Sequence, residues 1–287
     1  MSRSNFALTF SIALVTLSLG LPLAPSSADA AVFVNMNFDS QNVGEQITTT
    51  TPSAPSPVIN AYATGGFPDV GPYTGTNTVV SPLGLAKAVL MSTSQAGIGA
   101  NWMDTQFLAS GDKISLDFDI RMVAQAASGY PQVGGPNSLN GQLFAIQAFA
   151  LDTNRVWRFA ATPTSATTGE FGMRNNTDGD LISIGAYNVG DDHHVSILAN
   201  YLTNTVDVSV SGVGTLTNLP FVTAQPLNGG MSEFFFFQNG LDGSDNQVAL
   251  DNIVGATVPE PASLAIWSGL IVAAAVVHRR RRRVRAG

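Results

Sequence analysis

The sequence contains no cysteine, which excludes both disulfides and thiolate metal sites. Such a chain tolerates an oxidising compartment without pointing to one. Basic residues are scarce where a fold would be: residues 31–258 hold six, against eighteen acidic residues, a net charge of −12 where the whole chain carries −7. Nothing in that span offsets phosphate repulsion, which argues against nucleic acid as a partner, whereas cations suit it. Glutamate is rarer still, with only Glu45, Glu170 and Glu233 in the same span. No Gly-x-Ser-x-Gly nucleophile elbow, His-Glu-x-x-His zinc helix or EF-hand loop occurs. The chain also lacks a long amphipathic helix and an internal repeat.

What is present is alternation with a period of two. In Lys113–Ala124, Ile114, Leu116, Phe118, Ile120 and Met122 share one face, and Ser115, Asp117, Asp119 and Arg121 the other. Further strands are expected at Val32–Phe38, Lys87–Ser92, Leu143–Leu151, Val156–Ala161, Gly169–Arg174, Leu181–Tyr187, His194–Leu202, Val206–Ser211, Met231–Gln238 and Gln247–Val254. Turn formers separate them at 152–154, 175–180, 202–204 and 242–245. Residues 48–57, rich in Thr, Ser and Pro, read as a loop or linker, and 125–142 as another long loop. The run Phe234–Phe237 predicts a strand buried on both sides, or an interface. Many short strands at regular spacing predict an all-β, two-sheet jelly-roll sandwich.

The two ends read as addresses. Arg3, the apolar stretch Phe6–Leu21 and the small residues Ala28 and Ala30 form a signal peptide cleaved after Ala30. At the other end stand Pro259, Glu260 and Pro261, an uncharged run Ala262–Val277, and Arg279, Arg280, Arg281, Arg282, Arg283 and Arg285. As a helix that run spans about 24 Å at ~1.5 Å per residue, short of the ~30 Å hydrocarbon core. The arginines favour a cytoplasmic end. Triplet, helix and basic cluster together resemble the PEP-CTERM sorting signal of Gram-negative bacteria. The resemblance implies a substrate of an exosortase-type enzyme, anchored in the inner membrane by the C-terminal transmembrane helix. It then implies processing and release to the periplasm, outer surface or extracellular matrix, often beside extracellular polysaccharide. Three segments follow: signal peptide 1–30, extracellular sandwich 31–257 and sorting signal 258–287.

Within the middle segment a second resemblance appears. Gly190-Asp191-Asp192-His193-His194-Val195-Ser196-Ile197 followed by Val206–Gly212, with Phe38-Asp39 near the start and Leu250-Asp251-Asn252-Ile253 near the end, is similar to concanavalin A-like and laminin-G-like sandwiches. That fold hosts lectins, adhesion modules and glycosidases alike. Glucanases of the fold carry paired carboxylates on alternating strand positions. The nearest match is Asp117 and Asp119, flanked by Ser115 and Arg121 rather than glutamate, which reads as a solvated face with Arg121 offsetting Asp119. His193 and His194 are adjacent and point to opposite faces, so they do not ligate one metal together. A structural Ca2+ is expected at Asp39 and Asp251 if the first and last strands lie together, with 178–180 and 242–246 as other oxygen-rich loops. Trp102, Trp157, Tyr73, Tyr130 and Tyr187 are the aromatics available to stack on sugars, and alternation places Arg155 and Trp157 on one face. The expectation is a non-catalytic, exported matrix or carbohydrate-binding module. A glycan-cleaving enzyme of the same fold, a hydrolase or lyase, is the alternative.

Overall fold

The computed structural model describes residues 31–40, 42–44, 59–62, 75–80, 87–93, 100–110, 112–127, 141–150, 155–174, 181–222, 230–239 and 246–258. All belong to the unit Ala30–Glu260. They form β1 (Val32–Met36), a 3-10 turn (Phe38–Ser40), β2 (Ile59–Tyr62), β3 (Gly75–Val80), β4 (Ala88–Thr93), β5 (Ala100–Ser110), β6 (Lys113–Ala124), β7 (Phe144–Ala150) and β8 (Arg155–Pro163). Then come β9 (Thr168–Arg174), β10 (Leu181–Asn188), β11 (Asp192–Asn200), β12 (Thr205–Val210), β13 (Gly214–Pro220), β14 (Gly230–Asn239) and β15 (Asn246–Thr257). Two antiparallel sheets result. The first runs β13-β12-β11-β6-β15-β4-β3, with β1 added on β15; the second runs β10-β9-β8-β7-β14-β5-β2. The chain is an all-β jelly-roll sandwich with almost no helix among its described residues.

The alternation in β6 produces this directly. Its burial runs strictly two by two, with Phe118 and Ile120 fully buried and Asp117, Asp119 and Arg121 on the outer side. Phe118 meets Phe159 of the second sheet edge-on at 5.9 Å. Phe159 stacks on Phe171 at 5.4 Å, and Phe171 touches Tyr187 at 4.5 Å and the His193 ring of the first sheet at 5.3 Å. A continuous aromatic chain therefore crosses the sandwich twice. Each ring buried this way contributes roughly 1.5–3 kcal/mol. Its polar end is satisfied: the Tyr187 hydroxyl donates to Gln125 Oε1 at 2.8 Å, and Gln125 Nε2 donates to the carbonyls of Ser165 and Thr168. One buried amide thus ties the β8–β9 turn to the core.

Eleven expected strands are present, ten of them within two residues of their expected ends, while β15 runs three residues past Val254 to Thr257. Four strands, β2, β3, β5 and β13, were not expected. Three of them close an edge: β2 the second sheet, β3 and β13 the two ends of the first. An edge strand needs no buried face, and no residue of β13 is fully buried, so no hydrophobic period marks it. The turn at 202–204 is where expected, with Asn204 at φ 53. The Phe234–Phe237 strand is central, between β7 and β5. The turns at 152–154, 175–180 and 242–245, the stretch 48–57 and most of the loop 125–142 lie outside the described residues. So do residues 1–30, where a signal peptide is expected, and Pro259–Gly287.

Gly169 is the tightest point of the aromatic chain: a Cβ there would lie 2.3 Å from the Tyr187 ring and hydroxyl and 2.6 Å from the Thr162 carbonyl oxygen. Gly169→Ala is expected to cost at least about 1–3 kcal/mol by overpacking and to free Tyr187 from Gln125. A denaturant midpoint unchanged from wild type would contradict this packing.

Candidate functional site

Parity decides what the second sheet presents on the side away from the core. In β7, Phe144, Ile146, Ala148 and Ala150 take the core, so Ala145, Gln147 and Phe149 face outward. In β14, Phe234 and Phe236 take the core, leaving Glu233, Phe235 and Phe237. In β9, Phe171 and Met173 take it, leaving Glu170, Gly172 and Arg174. In β8, Trp157, Phe159 and Ala161 take it, leaving Arg158, Ala160 and Thr162. Arg155 joins Arg158 on the outer face through an irregularity. Ala148 pairs with Trp157 but Phe149 pairs with Arg155, so Val156 is an extra residue and the alternation slips. The expectation that Arg155 and Trp157 share a face is therefore corrected: Trp157 is a core residue, 5.9 Å from Phe234.

Register sets these groups in one row. Phe235 pairs with Gln147 and Gln147 with Arg158. Ala160 pairs with Gly172 and Phe159 with Met173, which brings Arg158 opposite Arg174 at the next step. Arg155 lies 5.9 Å over the Phe149 ring, and Phe235 stacks on Phe237 at 5.9 Å. Gln147 and Arg158 form the floor, 0% and 1% exposed, while Arg155, Arg174, Phe149, Phe235 and Glu233 are half-buried around them. Only four arginines occur in residues 31–258, and three of them meet here.

The electrostatics of this face are costly. Burial first, then Arg174, pull the Arg155 guanidinium down to about 10. Burial first, then Arg155 and Arg174, pull Arg158 down to about 9. Both stay charged at neutral pH. Beside them, Gln147 Nε2 and Oε1 and Thr162 Oγ1 are buried without a hydrogen-bond partner. Guanidinium forks and an amide with both ends open can hold a carboxylate or adjacent hydroxyls. Among the described side chains of this face there is no histidine or tyrosine.

The sequence did not single out this face. Its only signals were the confinement of three arginines to residues 155–174 and one glutamine inside the apolar run of β7. The other expected residues lie elsewhere. Tyr187 is in the core. Trp102 is in β5, and Tyr73 and Tyr130 lie outside the described residues. His193 is buried, with Nδ1 3.0 Å from the Ser211 carbonyl oxygen, while His194 is 54% exposed, so the two do point apart. On the outer face of the first sheet, His194 Nδ1 lies 2.8 Å from Asp119 Oδ1, and its Nε2 4.0 Å from Asp117. Arg121 does not offset Asp119: it makes a two-pronged pair with Asp192, its register partner on β11. Asp119 instead accepts from Asn252 Nδ2 at 2.8 Å. Asp39 and Asp251 are brought together because β1 pairs with β15. Among the described residues no group of three or more His, Asp or Glu side chains is arranged to hold a metal ion.

Among solved structures the chain is similar to a sialidase, with 12% identity and a TM-score of 0.53 over 82% of this chain and 19% of that one. It thus spans about a fifth of the sialidase's length. It is also similar to the CBM2 module of the evolved Dit of Lactobacillus casei BL23 phage J-1, with 7% identity and a TM-score of 0.50 over 82% of this chain and 99% of that one. Alginate lyase Aly36B gives 13% identity and a TM-score of 0.48 over 79% and 97%. At these identities the likeness is one of fold. No protein-family model and no curated protein sequence matches the chain.

Gln147 yields a sharp expectation. An amide buried with both ends unbonded bears its full desolvation cost, about 1–3 kcal/mol. Gln147→Leu, near in size and apolar, is expected to raise the unfolding free energy by about that amount in equilibrium denaturation. A loss of stability would mean the amide is bonded within the fold.

Proposed function

We propose that this chain is an exported, surface-sorted and non-catalytic β-sandwich that binds an anionic extracellular polysaccharide on the outer face of its second sheet. The observation that carries the reading is the meeting of Arg155, Arg158 and Arg174 around the open amide of Gln147, in a segment otherwise dominated by acid. Uronate carboxylates match guanidinium forks, and sugar hydroxyls match the amide. The half-buried rings of Phe149 and Phe235 supply apolar surface for sugar faces. A jelly roll of concanavalin A-like type permits this use without selecting it.

The ends complete the proposal. Signal peptidase cleaves after Ala30. Pro259, Glu260 and Pro261, the following apolar helix and Arg279–Arg283 present the precursor at the inner membrane to an exosortase-type enzyme. The sandwich is then delivered to the outer surface or matrix. The mass of the C-terminus of protein taken from its native host tests this part. An end near residues 259–261 is expected, and a membrane-bound chain still ending at Gly287 would refute it.

One observation favours the second reading, a glycan-cleaving enzyme. His194 is bracketed by Asp119 and Asp117, an imidazole–carboxylate arrangement able to move a proton. The two readings separate on one preparation. Binding to polygalacturonate without release of short products, weak binding to neutral dextran, and at least tenfold weaker binding in Arg158→Gln are expected from the first; each charge-assisted bond lost is worth roughly 1.5–3 kcal/mol. Product release that disappears in Asp117→Asn would establish the second, and equal affinity for dextran would exclude the arginine face as the determinant.

A further inference from the structure

We propose that the point where β15 changes its edge partner is a binding site for a divalent cation of the calcium type, held by Asp251 and Asp39. This is independent of the glycan reading and lies on the other sheet. Along one edge β15 pairs with β4 from Asn246 to Leu250, then with β1 from Ile253 to Ala256. Asp251 and Asn252 fall between the two partners. On the opposite edge, against β6, the register jumps from Asp251–Asp119 to Val254–Asp117, a bulge with Asn252 at φ 49. A bulge leaves its extra residue out of the ladder, and carbonyl oxygens left this way are ordinary calcium ligands alongside carboxylates.

Asp251 is 1% exposed, and its Oδ1 has no hydrogen-bond partner. Its carboxylate accepts the main-chain N–H groups of Asn252 and Phe38, the residue before Asp39. The neighbours of this pair are specific. Both oxygens of Asp119 are engaged, Oδ1 by His194 and Oδ2 by Asn252, so Asp119 adds charge without offering a free ligand oxygen. Lys87 Nζ donates to the Asp39 carbonyl oxygen at 2.6 Å, and Asn37 Oδ1 accepts the Asp39 N–H. Asp39 itself is exposed. A buried carboxylate oxygen with no donor, next to a second carboxylate that solvent reaches, is a strained arrangement for protein alone and a natural one for a hard cation.

The test uses the full-length chain after chelator treatment, melted with and without calcium chloride. Saturating calcium is expected to raise the midpoint by about 3–8 °C. Asp251→Asn should abolish the rise, and in chelator should melt no lower than wild type because it removes a buried charge. Asp39→Asn, at an exposed position, should fold normally and need at least tenfold more calcium. Asp112→Asn, at an exposed position on another turn, should respond as wild type does. A wild-type chain indifferent to calcium, or a rise preserved in both Asp39→Asn and Asp251→Asn, would overturn the proposal. So would indifference to calcium combined with a lower midpoint in Lys87→Met, which would make Lys87 the counter-ion.

Discussion

The fold depends on β15 having two different partners on one edge. It pairs with β6 along most of its length, and this pairing anchors the first sheet. Its other edge must serve β4 and then β1, strands that come from separate parts of the chain. A regular strand cannot turn from one to the other without a local change in twist, and the bulge at Asp251–Val254 supplies it. Just past the bulge, at Gly255, a Cβ would lie 2.8 Å from the Phe33 ring and 3.0 Å from the Phe234 ring. Glycine there lets β1 lie close enough for Phe33 to stack on Phe234 of the opposite sheet at 6.2 Å. One irregular strand thus sets the position of the first strand, the approach of the sheets and the pocket of carboxylate around Asp251.

The two sheets share the same inward pattern but differ outward. On the first sheet the outer face is wet and its charges are paired locally, Arg121 with Asp192 and His194 with Asp119. Exposed pairs of this kind contribute about 0–1 kcal/mol each. On the second sheet the outer face is polar yet sunk, with Arg158 and Gln147 buried in it. Burying the Gln147 amide with both ends unbonded works against stability.

What could be read in the sequence followed from burial. Lys113–Ala124 declares itself because one face is fully buried and the other wet. The meeting of Asp39 with Asp251 was legible because first and last strands commonly pair. The arginine face was hidden by a single residue. Arg155 and Arg158 stand three apart, which strict alternation assigns to opposite faces, and only the extra residue Val156 reunites them. Gln147 sat unremarked in an apolar run because a strand buried on both faces has no period. Edge strands such as β13 bury too little to leave a pattern at all.

The charge distribution determines how such a face would meet its ligand. With −12 over residues 31–258, the domain repels a polyanion at long range, and the arginines act only inside roughly one Debye length, ~8 Å at physiological ionic strength. Salt then has two opposed effects: it weakens the local guanidinium contacts and also screens the general repulsion. Partly buried contacts are screened less than exposed charges. Affinity should therefore fall far less steeply with salt than for a basic protein bound by counterion release, and association should speed up rather than slow down as salt is added. A weak, even inverted, salt dependence is the mark of a recessed cationic site in an acidic domain. It distinguishes recognition of individual carboxylates from general adhesion to anionic polymer.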